Sequence, residues 1–193
     1  LPATGYNNQS ISYFMIFQNP NVDLAWYRPI WKSGQYQTAQ IHPFSSYIDN
    51  PYLIAYEMLN GIDKNVYNAN FNLNYSFSDH FDVMFRSGLQ INNEERTTKR
   101  PYNSANYAKG YYREQYVKSS EFNNDILVTY KTSFNDFKLR ASAGGNIRYS
   151  EYTMNDYWAN GLEIPGIYTM PNAISAQFAY AKPSDKQVNS TYG

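Results

Sequence analysis

Asn68-Ala69-Asn70-Phe71-Asn72-Leu73-Asn74-Tyr75-Ser76-Phe77 carries a polar side chain at every even position and an apolar or aromatic one at every odd position. Successive side chains of an extended strand point to opposite faces, so this stretch predicts a strand with one apolar and one polar surface. The same alternation marks four segments, 66–77, 81–92, 122–134 and 137–149, each 12 or 13 residues long. Seven charged residues fall within them: Asp82, Arg86, Asp125, Lys131, Lys138, Arg140 and Arg148. All seven occupy the register opposite Phe71, Phe85, Ile126, Leu139 and Ile147.

A lipid-facing surface backed by a wet, charged one is the wall pattern of a transmembrane β-barrel. The expected fold class is therefore all-β, an antiparallel transmembrane β-barrel sector with long extracellular loops. The connections agree with this. Residues 78–80 and 135–136 are short and rich in turn formers, as tight hairpins require. The stretches 93–121 and 150–185 are long and polar, and the second contains Pro165, Pro171 and Pro183. Short turns on one rim and long loops on the other is the outer-membrane arrangement. Phe77, Phe81, Phe134 and Phe137 flank the short turns, while Tyr67, Phe122 and Tyr149 lie at the opposite strand ends. Two aromatic levels of this kind suit the girdles at the two membrane interfaces.

The expected organisation is then an extracellular loop region at 1–65, a first transmembrane hairpin at 66–92 and an extracellular loop at 93–121. A second hairpin follows at 122–149, another loop at 150–185, and the start of a further strand at 186–193. Within the first region Ser10 suits the cap of a short helix from Ile11 to Gln18, stopped by Pro20. Asn50-Pro51 reads as a cap followed by proline at the first helical position, the turn ending at Asn60-Gly61. Gly88, Gly144 and Gly145 within strands suggest bends or close backbone approach.

Composition narrows the function classes. The 193 residues balance 16 basic against 16 acidic side chains, which argues against a nucleic-acid binder. There is no cysteine, hence no disulfide framework and no thiolate metal site. No apolar run approaches the ~18 residues of a transmembrane helix, so any crossing is by strands. Residues 1–5 carry neither the basic start nor the apolar stretch of a signal peptide. Four or five strands fall short of the about eight that close a barrel, so the chain is expected to be a piece of a larger one.

Several stretches resemble the SusC/RagA family of TonB-dependent outer-membrane transporters of Bacteroidetes. They are Pro20-Asn21-Val22-Asp23-Leu24, Asn50-Pro51-Tyr52-Leu53 with Asn60, Asn70 through Asp79, Asn123 through Tyr130, Ala143-Gly144-Gly145-Asn146, and Val188 through Gly193. The resemblance implies a barrel of roughly 22 strands with a plugged lumen, of which this chain supplies four to five. It also implies partners: the protein's own plug domain, the TonB complex acting through parts outside this chain, and a SusD-like lipoprotein closing over the outer mouth. The implied substrates are oligosaccharides or peptides, and the implied location is the outer membrane of a Gram-negative bacterium, in contact with the lipid bilayer. Leu53 departs from the family pattern, in which Trp is frequent.

Under this reading the lumen- or plug-facing residues are Asp82, Arg86, Asp125, Lys131, Lys138, Arg140 and Arg148. Candidate ligand or lid contacts are the loop aromatics Trp26, Tyr27, Trp31, Tyr36, Tyr107, Tyr111, Tyr112, Tyr157 and Trp158. Such rings stack on the C–H faces of sugars and also anchor protein interfaces. No catalytic motif appears, His42 and His80 are the only histidines, and no enzyme activity, cofactor or metal is expected. The alternatives are a passive porin wall and a soluble, surface glycan-binding β-sandwich whose core is the apolar register. An outer-membrane hydrolase is a more distant one.

Overall fold

The computed structural model describes residues 11–193, the side chains of Ala181 and Lys182 excepted. The expected Ser10 cap lies outside the described residues. The fold is mostly antiparallel β-sheet, 62% strand and 11% helix. Five strands, β1 (Asn60–Ser76), β2 (Phe81–Ser104), β3 (Tyr107–Phe134), β4 (Phe137–Ala159) and β5 (Ala176–Tyr192), form one sheet in sequence order. Two short helices precede them, α1 (Ile11–Phe17) and α2 (Pro51–Tyr56). Two compact units divide the chain. The first takes residues up to Asp63 together with Glu95–Tyr116 and Asn155–Tyr180; the second takes Lys64–Glu94, Val117–Met154 and Ala181–Gly193.

In the second unit the hairpins follow the alternation read from sequence. Phe77 N–H donates to Phe81 O across the first turn, and Lys131 N–H on β3 donates to His80 O at the end of that turn. The second turn is as tight as expected: only Asn135 and Asp136 separate β3 from β4, with Asn135 in the left-handed region at φ 52°. Asn is one of the few residues that adopt this conformation readily. Phe77, Phe134 and Phe137 flank the turns and are largely exposed.

The apolar register of this unit is not covered. Phe71 is 56% exposed, Ile126 49% and Leu139 58%, while Val83 is half-buried. Among the described residues no second sheet packs on it. Gly144 is a point of close approach: a Cβ there would stand 2.6 Å from Ile126 O and 2.8 Å from Tyr192 Cε2.

The expected loop at 93–121 is instead paired strand, since β2 continues to Ser104 and β3 begins at Tyr107. Likewise β4 runs to Ala159, and the strand expected to start at residue 186 already begins at Ala176. Hydrophobic alternation could not find these extensions, because neither face of Glu94-Glu95-Arg96-Thr97-Thr98-Lys99-Arg100 is apolar. Such a strand is held by its backbone ladder and by β-prone Thr and Tyr side chains.

Pro101 sits inside β2 without breaking it. Lys99 N–H points to Leu59 O, and the N–H two residues on would point the same way, beyond the start of β1 at Asn60. No ladder donor is lost there.

In the first unit Asn50 caps α2 as expected: its side chain accepts from Tyr52 N–H at 2.8 Å, with Pro51 at the first helical position. The helix ends at Tyr56, however, and Asn60 opens β1 rather than closing the helical turn. A 3-10 turn at Leu24–Tyr27, capped by the Asp23 side chain, was not legible from sequence. Two small cores hold this unit. Leu53, Ile54 and Met58 pack with Ile11, Ile30 and Trp31, while Tyr112, Ala159 and Leu162 pack with Tyr102, Tyr168, Met170 and Ala173. Leu53 is fully buried, so at this position the chain offers no surface to a lid.

Candidate functional site: the polar face and the loop aromatics

The polar register of the second unit is knit together by ion pairs between neighbouring strands. Lys131 pairs with Asp82, and Asp82 Oδ1 also accepts from Ser76 Oγ at 2.9 Å. Arg86 Nη2 lies 3.4 Å from Asp125 Oδ2, and Arg148 Nη2 donates to Glu121 Oε2 at 2.5 Å. Asn146 Nδ2 donates to Asp125 Oδ1 and to Asn123 Oδ1, both at 2.6 Å. Thr129 and Ser142 hydroxyls meet at 3.0 Å. Side chains pair this way only when strand register places them on one face, directly or diagonally opposite.

Of the seven expected lumen-facing residues, Asp82 pairs with Lys131 and Arg86 with Asp125, while Arg148 pairs with Glu121, which was not among them. Lys138 and Arg140 are exposed and enter no ion pair among the described residues. The sequence reading missed Glu121, Lys64 and Glu94. Lys64 Nζ stands 3.0 Å from Glu94 Oε1. All three were detectable by carrying each strand's parity past the end of its apolar run.

The polar face so formed is largely charge-compensated. Chemically it can line a path for polar solutes or receive a polar protein surface. His42 Nδ1 is 3.3 Å from Ile48 O, and His80 Nδ1 is 2.9 Å from Lys131 O. A carbonyl only accepts, so each Nδ1 carries the proton. Among the described residues no group of three or more His, Asp or Glu side chains converges as metal ligands do.

The nine loop aromatics belong to the first unit and separate by burial. Trp26 and Tyr36 are open to solvent, 66% and 70% exposed. Tyr27 is half-buried with its ring edge-on to Phe14 at 5.7 Å. Trp31 packs on the α2 core and meets Tyr36 at 6.1 Å. Tyr107 and Tyr111 lie 4.8 Å apart, with half-buried Arg100 beside them donating to Asn60 Oδ1 at 3.1 Å. Tyr112 is buried and belongs to a core, so its role is packing. Tyr157 stands between Tyr116, at 6.3 Å, and Phe178, stacked at 5.4 Å. Trp158 is half-buried. Tyr116, Phe178 and the exposed Tyr56, stacked on Tyr52 at 6.3 Å, were not among the expected positions.

Two carboxylates organise the first unit. Asp156 takes both arms of Arg113, Nε to Oδ1 at 2.8 Å and Nη2 to Oδ2 at 2.5 Å, and Gln115 adds a third donor. These Arg113 bonds hold the Asp156 carboxyl below the usual carboxylate range. Asp49 is fully buried, accepting from Gln40 Nε2 at 2.7 Å, Ala105 N–H at 2.8 Å and Ser104 Oγ at 3.1 Å. Gln40 Oε1 in turn accepts from Asn50 N–H, and Gln40 N–H donates to Asn103 Oδ1. This polar knot ties residues 40–50 to the tip of the β2–β3 hairpin.

No protein-family model matches the chain, and no curated protein matches it.

Proposed function

We propose that the chain is part of the wall and outer surface of a TonB-dependent outer-membrane importer, taking up oligosaccharides or peptides under a SusD-like lipoprotein lid. One observation carries this reading. In the second unit, Phe71, Ile126 and Leu139 stand exposed on one register while the opposite register is crossed by ion pairs. An uncovered apolar face of this extent is costly in water and suits lipid. A transmembrane strand needs about 9–11 residues. β2 and β3 have 24 and 28, so much of each extends beyond a bilayer. Those extensions are rich in polar and Tyr side chains and carry one of the small cores of the first unit, around Tyr112. The resemblance to the SusC/RagA family supplies the plug, the TonB complex and the lid as partners.

The test is uptake by cells expressing the complete reading frame. The protein is expected in the outer-membrane fraction, copurifying with a surface lipoprotein, and import of a labelled oligosaccharide or peptide pool is expected to stop when a protonophore collapses the inner-membrane gradient. Uptake that continues without the gradient would indicate a passive porin. Recovery of the protein as a detergent-free soluble monomer would overturn the membrane reading altogether.

A further inference from the structure

Tyr157 falls on the odd register of β4, with Leu139 and Ile147, and Asp156 on the even one. Side-chain pairing shows that the two strands stay in step. Glu121 pairs with Arg148 and Arg113 with Asp156, a spacing of eight residues on both β3 and β4, so neither strand has gained a bulge on its own. Asp156, Arg113 and Gln115 therefore continue the polar register, and Tyr157 the other. Tyr157 shares its side of the sheet with Tyr116, edge-on at 6.3 Å, and with Phe178 of β5, stacked at 5.4 Å. Tyr116 and Phe178 are exposed. This aromatic strip is bounded in both directions. Towards Tyr149 the same registers carry Glu151, Thr153 and Asn155 on β4 and Lys118 and Ser120 on β3, all polar. In the other direction Tyr112 and Ala159 are already packed against Leu162. Glu114 accepts from the Tyr116 hydroxyl at 3.2 Å and from the Tyr112 hydroxyl at 2.8 Å, which fixes a carboxylate beside the strip.

We propose that the strip of Tyr116, Tyr157 and Phe178 binds the sugar head group of an outer-leaflet glycolipid. Aromatic rings offer an apolar surface to the C–H face of a sugar. The Glu114 carboxylate has lone pairs beyond the two taken by tyrosine hydroxyls and accepts from sugar hydroxyls. An acyl chain fits worse, because it would strand Lys118, Glu151 and Glu114 against hydrocarbon. An imported solute fits worse too, because it follows the polar register, on which Asp156 and not Tyr157 stands. Tyr157 is thereby separated from the other loop aromatics as a contact to the surrounding membrane. The choice of a glycolipid as the source of the sugar rests on the importer reading, which sets lipid against this register.

The experiment uses the protein from its complete reading frame, purified in detergent and freed of bound lipid. It is titrated with lipopolysaccharide from the expressing strain, with the deacylated saccharide of that lipopolysaccharide, and with phosphatidylethanolamine, and binding is read by native mass spectrometry. Lipopolysaccharide and its deacylated saccharide are both expected to bind. Phe178→Ala is expected to weaken each about fivefold through the lost ring surface and to leave phosphatidylethanolamine unaffected. Phe178→Tyr keeps the ring and is expected to restore binding, which a merely misfolded variant would not explain. Lipopolysaccharide binding that is indifferent to Phe178→Ala, with no binding of the deacylated saccharide, overturns the proposal, since the acyl chains alone would then hold the lipid. So does a Phe178→Ala variant that binds lipopolysaccharide normally but loses affinity for the labelled oligosaccharide pool, which would make the strip a substrate site. Lipid quenching at positions 71 and 126 separates the two readings: if it holds while Phe178→Ala has no effect, the glycolipid site alone is wrong.

Discussion

The Asp49 carboxylate accepts a 3.1 Å hydrogen bond from the Ser104 hydroxyl, 55 residues away in sequence and at the tip of the β2–β3 hairpin. Burial pushes the Asp49 carboxyl above its ordinary range, against the opposing pull of Gln40, Ala105 and Ser104. A folded value above the unfolded one means that the fold holds the proton to higher pH. This contribution to stability is complete below the unfolded carboxylate value of about 3.9 and is lost as pH rises through the folded value. Protonated Asp49 stays satisfied because the Ser104 hydroxyl can turn from donor to acceptor. Asp49→Asn, which donates in the same direction, is expected to keep the hairpin tip protected and to abolish its pH dependence. Asp49→Ala removes the acceptor shared by Gln40, Ala105 and Ser104 and is expected to cost about 1–3 kcal/mol. Hydrogen exchange of the Ala105 amide between pH 4 and pH 8 reads both.

The Arg113–Asp156 pair responds to pH in the opposite sense. Asp156 is held below the usual range first by the Arg113 hydrogen bonds, and Arg113 is raised by the same contact, so the two partners agree. Its stabilisation is present above the unfolded carboxylate value and is lost as pH falls through the lower folded one. Asp156→Ala is expected to destabilise by about 1–3 kcal/mol. Arg113→Lys keeps the charge but loses the two-armed geometry, and should recover only part of that. Thermal unfolding of the two variants at neutral pH and near pH 3 checks the ordering, with the difference from the parent shrinking at acid pH.

Gly144 and Gly145 are adjacent yet predicted to behave differently. A Cβ at Gly144 meets the Ile126 carbonyl at 2.6 Å, which is backbone and cannot swing aside, whereas at Gly145 the nearest atom is Ser190 O at an ordinary 3.4 Å. Gly144→Ala is expected to cost about 1–3 kcal/mol and Gly145→Ala little. Urea unfolding of each variant in micelles separates them.

A charge on the outward register tests the lipid side. Phe71→Arg is expected to cost about 2–4 kcal/mol of membrane stability if residue 71 lies near the bilayer midplane, and Asn72→Arg close to nothing. The fraction of protein resisting extraction from outer membranes compares the two directly.

How much of this was legible in the sequence follows from what water does to a strand. Within 66–77, 81–92, 122–134 and 137–149 one register is apolar and the other polar, so the period-2 pattern can be read residue by residue. Past Asn92 and before Phe122 the few apolar side chains mark no single face, although Tyr112 and Val117 are buried. Arg96, Thr98, Glu95 and Thr97 then carry no contrast, and the strand is invisible to alternation although its ladder continues. The polar face is legible as a set, but not its pairing: Glu121, which holds Arg148, lies in a stretch whose sequence reads as loop. The aromatic candidates were the least legible. Tyr112 and Tyr111 are neighbours of identical chemistry, yet one is buried in a core and the other lies beside Arg100, a difference set by the strand's facing and the chain folded over it.

The 193 residues contain no cysteine, so a cysteine introduced among them is the only one in this stretch. The decisive measurement places a solvent-sensitive fluorophore in turn at positions 70, 71, 72, 73, 125, 126, 139 and 140 of the protein from its complete reading frame, in vesicles carrying a lipid-chain quencher. Strong quenching at 71, 73, 126 and 139 with none at 70, 72, 125 and 140 is the expected result. Equal quenching on both registers, or shielding of 71, 126 and 139 from lipid and water alike in a protein that stays soluble without detergent, would contradict it.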